Sequence, residues 1–285
     1  MLYLIDLFCG SGGFSTGAVQ AGAKVILAVD LWEEALNVHK DNHPTAIHST
    51  IELGKETKKI TELIQNTISL IKNLKKTDII HLHASPPCQN LSLMNKLRNE
   101  DIGLGLTKWT FKFINELTSK KIINSWTIEQ VNNKQFREFL EKTQKSDKIK
   151  FHYQVLQMKL YKICQNRERI IVSSKEFKLI EQKLIPMKSL INIPFEFMES
   201  SGSKAHEFFR DKTDIAYTII STPHYLCDNN KQRIRAMNTE EMMKFQTYPS
   251  TYNFSSCKNK TDVTKMIANS VPCSIAEQII LSIQK

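Results

Sequence analysis

Asp78-Ile-Ile-His-Leu-His-Ala-Ser-Pro-Pro-Cys-Gln-Asn-Leu-Ser92 is the stretch on which the reading of this chain turns. Ile79 to Ala84 has the composition of a buried strand, and it runs straight into a turn braced by Pro86 and Pro87. Two prolines fix the local φ angles and remove two backbone donors, so Cys88 sits at a stiff, pre-set strand end. A lone cysteine presented there is a candidate nucleophile; the plain alternative is a turn that happens to contain cysteine.

Upstream, Leu2 to Leu7 forms a short apolar strand that carries Asp6. It leads through Phe8-Cys-Gly-Ser-Gly-Gly-Phe14 into a helix, with a glycine spacing that is neither GxGxxG nor a P-loop. Lys24 to Asp30 is a second strand ending in an acid, which suits the two hydroxyls of a ribose. Leu31 and Trp32 follow, then a helix from Glu33 to about Asn42. Together these make a βαβ unit shaped for a nucleoside-containing cofactor. Between Lys55 and Lys76, Ile60, Leu63, Ile64, Thr67, Ile68, Ile71 and Leu74 mark one face of a crossover helix.

Downstream, the polar segment Asn90 to Thr107 suits a mobile loop with Gly103 and Gly105 as hinges. A helix, Trp109 to Lys120, and a strand, Lys121 to Ile128, follow. That strand delivers Glu129-Gln-Val131, a carboxylate at the sheet edge where Cys88 lies, or else an ordinary loop glutamate. Asn132 to Lys150 is polar and helical in tendency. Gln165-Asn-Arg-Glu-Arg169 precedes a strand, Ile170 to Ser173, and its two arginines share a side when extended. Such a pair suits phosphate or a base edge, although surface ion pairs are the commoner use. From Ser174 to about Asn230 the βαβ rhythm stops. A helix capped by Asn238 or Thr239 then ends before Pro249, and Ile267-Ala-Asn-Ser-Val-Pro272 opens a closing helix, Ser274 to Ile283.

With 285 residues, 41% of them hydrophobic, the chain holds one large domain or a large and a small one. A net charge of +10 suits a polyanion, nucleic acid first, although a lysine-rich composition of AT-biased origin gives the same sign. No apolar run approaches the ~18 residues of a membrane span, and the N-terminus lacks a signal-peptide layout. Six cysteines without CxxC spacing read as reduced thiols of an intracellular protein, with no metal site.

Taken together, these stretches resemble the DNA (cytosine-5) methyltransferases nearly end to end. Asp6-Leu-Phe-Cys-Gly-Ser-Gly-Gly13 is similar to the family's cofactor motif, and Ser85-Pro-Pro-Cys-Gln89 with Ser92 to its catalytic motif. Glu129-Gln-Val131 resembles Glu-Asn-Val, and Gln165 to Arg169 resembles Gln-x-Arg-x-Arg. Arg235 to Pro249 and Ala268-Asn-Ser-Val-Pro272 resemble the ninth and tenth motifs.

The resemblance implies an α/β, Rossmann-like S-adenosylmethionine-dependent fold, a mixed sheet with helices on both faces. It implies a catalytic domain of residues 1–173 and 265–285 and a small target-recognition domain of residues 174–264. The implied reaction is methylation at C5 of cytosine in double-stranded DNA, with the base flipped out of the helix. Cys88 would add to C6, Glu129 would stand at N3, Arg169 at O2, and Arg167 would support the flipped nucleotide. Gln89 and Ser92 would lie on the closing loop. S-adenosyl-L-methionine, leaving as S-adenosyl-L-homocysteine, would be lined by Phe8, Cys9, Gly10, Gly12 and Gly13. Asp30 would take the ribose, Leu31 and Trp32 the adenine, and Pro87, Asn269 and Ser270 would stand beside the methionine end. The implied partner is duplex DNA, with a monomeric chain in the cytoplasm and no membrane contact. A companion restriction endonuclease is left open.

The chain departs from the pattern in places. Gln130 replaces an asparagine, no third-motif Asp stands near Ser49 to Leu53, and Asp101-Ile-Gly lacks an expected arginine. His81 and His83 occupy positions where apolar residues are common. A zinc deaminase would need a second cysteine where Leu91 stands, and is rejected. A tRNA cytosine-5 methyltransferase and a non-catalytic nucleic-acid-binding homologue remain as alternatives.

Overall fold

The computed structural model describes residues 1–87, 100–145, 149–200 and 209–285, with residues 100–103 by backbone alone. Seven strands share one sheet: β1 (Leu2–Leu7), β2 (Lys24–Asp30), β3 (Ile47–Thr50), β4 (Ile79–Ala84), β5 (Ser125–Val131), β6 (His152–Gln157) and β7 (Glu168–Ser173). Their order is β3-β2-β1-β4-β5-β7-β6. Neighbours from β3 to β5 are parallel, and β7 is antiparallel to both β5 and β6. Strand order reverses between β1 and β4, which opens a crevice at the carboxyl ends of those strands.

The helices are α1 (Gly13–Gln20), α2 (Glu33–Asn42), α3 (Thr57–Ser69), α4 (Glu100–Ser119), α5 (Lys134–Lys145), α6 (Thr239–Phe245), α7 (Lys260–Asn269) and α8 (Cys273–Ile283). Alternation along β1 sends Ile5 and Leu7 to the side covered by α3, α4 and α5. Leu2 and Leu4 face the other side, against Phe14 and Ala18 of α1 and Ile275 and Ile279 of α8. A further core joins Ala35 and Val38 of α2 to α6, α7 and the segment from Met187 to Leu226. That segment includes β8 (Phe197–Ser200), β9 (Phe209–Asp211) and β10 (His224–Cys227), which with β11 (Arg233–Ala236) form a four-stranded antiparallel sheet ordered β11-β10-β8-β9.

The mixed sheet with helices on both faces matches the expectation, and β1, β2, β4 and α2 have the expected bounds. Four elements differ. Gly103 and Gly105 lie inside α4 and not in a loop, because Leu104, Trp109, Phe111 and Phe113 pack that helix on the sheet. Helix α3 stops at Ser69; Asn73 has φ 60°, which a continuing helix excludes. Strand β5 begins only at Ser125, after a left-handed Lys121 ends α4, and pairing with β7 carries it on through Glu129 to Val131. Ile267 to Asn269 end a helix, α7, that Asn259 caps, and do not open the closing one.

Lys260–Ile283 taken as one piece is long and apolar enough to cross a membrane, contrary to the sequence expectation. It is two helices broken at Ser270, Val271 and Pro272, and 61% of the apolar 18-residue window within it is buried inside the protein.

Helices α1 and α8 touch closely. A Cβ at Gly17 would lie 2.6 Å from Ala276 Cβ and 2.8 Å from the Glu277 amide nitrogen, and closer still to the Cys273 carbonyl. Backbone atoms cannot yield as a flexible side chain can. Gly17→Ala should therefore destabilise the fold by about 1–3 kcal/mol despite its better helix propensity, read as a lower urea midpoint. An unchanged midpoint would mean the two helices are not in this contact.

Candidate active site

The carboxyl ends of β1, β2, β4 and β5 open onto one cavity of about 860 Å³. Asp6, Asp30, Ser85 to Pro87 and Glu129 bring those strand ends to its wall. Arg167 and Arg169 close one side, and Asn269, Ser270 and Val271, between α7 and α8, close another.

Asp30 is held by its neighbours. Its Oδ2 accepts from the Gly10 amide at 2.8 Å and its Oδ1 from the Trp32 amide at 2.8 Å. Burial still pushes its pKa up, those amide bonds opposing the rise. Asp6 is fully buried, and its pKa is raised to about 7, mainly by loss of water and further by the charge of Asp30. A chain of bonds runs back from it. Ser15 Oγ donates to Asp6 Oδ2 at 2.6 Å, His39 Nε2 meets Ser15 Oγ at 3.0 Å, and His48 Nε2 meets His39 Nδ1 at 2.9 Å. Because Ser15 spends its proton on Asp6, His39 must donate through Nε2 and accept through Nδ1.

Phe8, Cys9, Gly10, Gly13, Leu31, Trp32 and Pro87 all line the cavity. Leu31 is exposed at the rim, and Trp32 carries the Lys265 ammonium 4.7 Å from its ring centre. Gly12 is not at the wall. It forms the left-handed N-cap of α1, with Tyr252 and His39 crowding the place of a Cβ. Cys9 is the described cysteine at the cavity, and burial with nearby Asp30 and Asp6 pushes its thiol well up, so it is a poor nucleophile.

Glu129 and Arg169 form an ion pair, Nε to Oε1 2.8 Å, with both side chains largely shielded from water. Gln130, fully buried, donates from Nε2 to the Pro86 carbonyl at 3.1 Å and to Thr107 Oγ1 at 3.2 Å, and its Oε1 accepts from the Val131 amide at 2.8 Å. The extra methylene thus lets one amide tie the proline turn to α4. Arg167 is buried and donates to the carbonyls of Ala268 and Ser270. Cys88, Gln89 and Ser92 lie outside the described residues.

Sequence reading missed part of the wall. Ile51 to Lys55, beyond β3, line the cavity, with Glu52 paired to Lys55 at 2.7 Å, and so do Trp109 and Met266. A search for an Asp after β3 overlooks a wall made mainly of backbone and apolar atoms. Asp6 opens the stretch that resembles the cofactor motif but is not among the expected site residues, and it too lies at the wall.

His81 and His83 point away from Ile80 and Leu82, onto the α1 side of the sheet, and pair across to β5. His81 Nδ1 meets Ser125 Oγ at 3.0 Å and its Nε2 meets Thr127 Oγ1 at 2.9 Å. His83 Nδ1 meets Thr127 Oγ1 at 2.9 Å and its Nε2 meets Ser85 Oγ at 2.8 Å, with the ring stacked on Phe14. Burial lowers His81 to about 3 and His83 well below its usual value, so both are neutral.

Residues 2–206 and 190–285 match the model of the C-5 cytosine-specific DNA methylase family. The chain belongs to this family. Among relatives, the type II methyltransferase M.HgiDI of Herpetosiphon aurantiacus is 25% identical over 325 residues, covering 98% of this chain and 93% of its own length. The type II methyltransferase M.HindV of Haemophilus influenzae is 24% identical over 312 residues, covering 98% and 95%. The Dnmt2 methyltransferase of S. pombe superposes with a TM-score of 0.70 at 14% identity, over 99% of this chain and 98% of that one. That last likeness is one of fold. This member of the family is thus similar to type II methyltransferases over nearly its whole length.

The buried histidines set a pH dependence. Burial holds His39, His43, His81 and His83 below the ordinary histidine value in the folded state. Their contribution is present above about pH 6.5 and is lost as pH falls, because the unfolded chain takes up protons that the native one refuses. At pH 5 each of His39, His81 and His83 should cost about 2 kcal/mol. Asp6, raised to about 7, acts oppositely: its contribution is full below pH 3.8 and is lost as pH rises through 7. Asp30, also raised by burial, acts in the same sense as Asp6. Three or more histidines outweigh these two carboxyls, so denaturant midpoints should peak near neutrality and fall steeply toward about pH 5. A midpoint flat between pH 7 and 5 would contradict this assignment.

Proposed function

We propose that the protein transfers a methyl group from S-adenosylmethionine to C5 of cytosine in double-stranded DNA. The observation that carries this reading is the convergence of Asp30, the Pro86-Pro87 turn and the Glu129–Arg169 pair on one cavity. Its volume suits a cofactor together with an inserted base.

The cavity fits S-adenosylmethionine in chemistry. Asp30 keeps acceptor capacity for ribose hydroxyls beyond its two amide bonds, Trp32 and Leu31 offer an apolar rim for a base, and Gly10 leaves its Cβ position open. Asp6 and Asp30 favour a positively charged ligand. When bound, the cofactor supplies a methyl group on a positive sulfur. Phe8, Gly10, Asp30, Trp32, Asn269 and Ser270 would hold it.

Cytosine C5 is not nucleophilic by itself. Addition of the Cys88 thiolate at C6 makes it so, and Pro87, the neighbour of Cys88 in the chain, stands at the cavity wall. Glu129 would stabilise charge developing at N3, and Arg169, already paired with it, would bind O2. Once C5 carries the methyl group, a base takes the C5 proton and the C6–S bond to Cys88 breaks, releasing the thiolate. Gln89 and Ser92 would belong to the loop closing over the base, which must leave the duplex to be reached.

Duplex DNA as substrate is supported by the family description and the type II relatives. The charge of +10 agrees, as do Arg210 and Arg233 on the four-stranded sheet and Lys231 in the turn between β10 and β11. We assign residues 174–264 to target recognition and residues 1–173 with 265–285 to catalysis. Methylation of tRNA would use the same chemistry, and it is the alternative.

Labelled methyl should pass from S-adenosylmethionine to duplex DNA and appear as 5-methylcytosine by mass. Cys88→Ser should abolish transfer, and Glu129→Gln should slow it by about 10²–10⁴-fold. Label in tRNA alone would move the substrate, and label in neither, with cofactor bound, would overturn the reading.

A further inference from the structure

Three long polar side chains meet in a buried place beside the cavity. Gln165 is fully buried; its Nε2 donates to the Phe245 carbonyl at 2.6 Å and to Gln246 Oε1 at 2.9 Å, and its Oε1 accepts from the Ile219 amide at 2.9 Å. Gln246, also fully buried, donates from Nε2 to the Ile267 carbonyl at 2.7 Å, with the carbonyls of Ala268 and Ser270 at 3.4 and 3.3 Å. Arg167, 3% exposed, donates through one terminal nitrogen to the Ala268 carbonyl at 2.9 Å and through the other to the Ser270 carbonyl at 3.2 Å.

The acceptors are carbonyls of the last turn of α7 and of its cap, Ser270; that of Ile267 also accepts from the Ser270 amide and hydroxyl. A buried cation belongs at the negative end of a helix. The segment so held, Asn269 to Val271, is cavity wall. Its other side is pressed on Gly13, where a Cβ would stand 2.9 Å from Ser270 Cβ. The wall therefore has fixed contacts on both sides.

We propose that Arg167 is a positioning residue. With Gln246 and Gln165 it fixes the Asn269–Ser270 wall in the shape that takes the cofactor, and it acts on that ligand through the wall and not by touching the flipped nucleotide. This rests on the reading of the cavity as an S-adenosylmethionine site. The resemblance gave Arg167 a nucleotide role, but each of its terminal nitrogens donates to a backbone carbonyl at the end of a helix. The base-facing place is filled by Arg169, which meets Glu129. Lysine cannot substitute, since a single ammonium lacks the planar fork that spans two carbonyls.

The test uses Arg167→Ala, Arg167→Lys and Gln246→Ala in the full chain. Calorimetry with S-adenosylhomocysteine, without DNA, reads the cofactor site. Anisotropy with a labelled duplex across a salt series reads the DNA contact, and thermal melts report folding. Arg167→Ala and Gln246→Ala should each weaken S-adenosylhomocysteine by roughly 10- to 100-fold. Gln246 does not line the cavity, so its effect can arise only through the wall. Arg167→Lys should lose nearly as much, and millimolar guanidinium should restore binding to Arg167→Ala. Duplex affinity and its salt slope should not change, and the loss in the double variant should fall short of the sum. If cofactor affinity is kept while duplex affinity falls and the salt slope drops by about 1, Arg167 is a nucleotide contact and the proposal is wrong. If Arg167→Ala fails to fold, Arg167→Lys and Gln246→Ala decide by the same two readouts. If the wild type binds no S-adenosylhomocysteine, the cofactor reading itself fails, an outcome distinct from the other two.

Discussion

The seat of the chain's last helix against its first glycines is the constraint on which the rest depends. Gly13 and Gly17 present backbone where side chains would stand, and Ser270, Val271, Cys273 and Ala276 occupy that space. Helix α8 is thereby fixed on the α1 face of the sheet, where Ile275 and Ile279 join the core of Leu2 and Leu4. The same contact swings the α7–α8 break across the mouth of the crevice. Residues more than 250 positions apart in the chain, Phe8 to Phe14 and Asn269 to Val271, thus meet at one cavity. Such a site exists only when both chain ends are docked, so its integrity follows global stability and not a local loop equilibrium.

Four carboxyl side chains line the cavity, Asp6, Asp30, Glu52 and Glu129, beside four basic ones, Lys55, Arg167, Arg169 and Lys265. Asp6, Asp30 and Glu129 stand near the carboxyl ends of β1, β2 and β5, and each is held differently: Asp6 by Ser15 and its histidine chain, Asp30 by two backbone amides, Glu129 by Arg169. These partners fix orientation before any ligand arrives. A ligand then meets acceptors that need little rearrangement, and preorganisation of this kind is how a buried polar site gains strength over water. Gln130 adds to it by joining the proline turn, β5 and α4 through one amide.

Much of this was legible in the sequence. Short apolar runs ending in acids or prolines gave β1, β2 and β4 and placed the cavity at their ends. The order of motifs from Asp6 to Pro272 gave the family. What stayed hidden has physical causes. Glycine composition suggested a loop at Gly103 and Gly105, but the apolar face of Leu104, Trp109 and Phe113 outweighs two glycines' helix cost of about 1 kcal/mol each. The periodic run to Leu74 overstated α3, because Leu74 stays exposed after the helix has ended. Arg167 and Arg169, alike in sequence, diverge because one meets helix-end carbonyls and the other a carboxylate. Only tertiary packing distinguishes those partners.

His81 and His83 look like errors in an apolar strand and prove to be a register device. Strand β4 pairs His81 with Ser125 and His83 with Thr127, so each imidazole faces a hydroxyl across the ladder. The line of bonds from Ser125 to Ser85 uses both nitrogens of both rings and leaves neither histidine with an unmet group. A one-residue slip of β4 against β5 would bring His81 and His83 opposite the apolar Trp126 and Ile128 and send Ile80 and Leu82 to face the hydroxyls. An apolar strand would tolerate that slip far better, since any hydrocarbon pairs with any other. Unpaired buried imidazoles do not, because each lost bond costs about 1–3 kcal/mol. The register so enforced also sets how far Pro86 and Pro87 stand from Glu129. A polar ladder in the core therefore fixes the alignment of the two strand ends that carry the candidate chemistry.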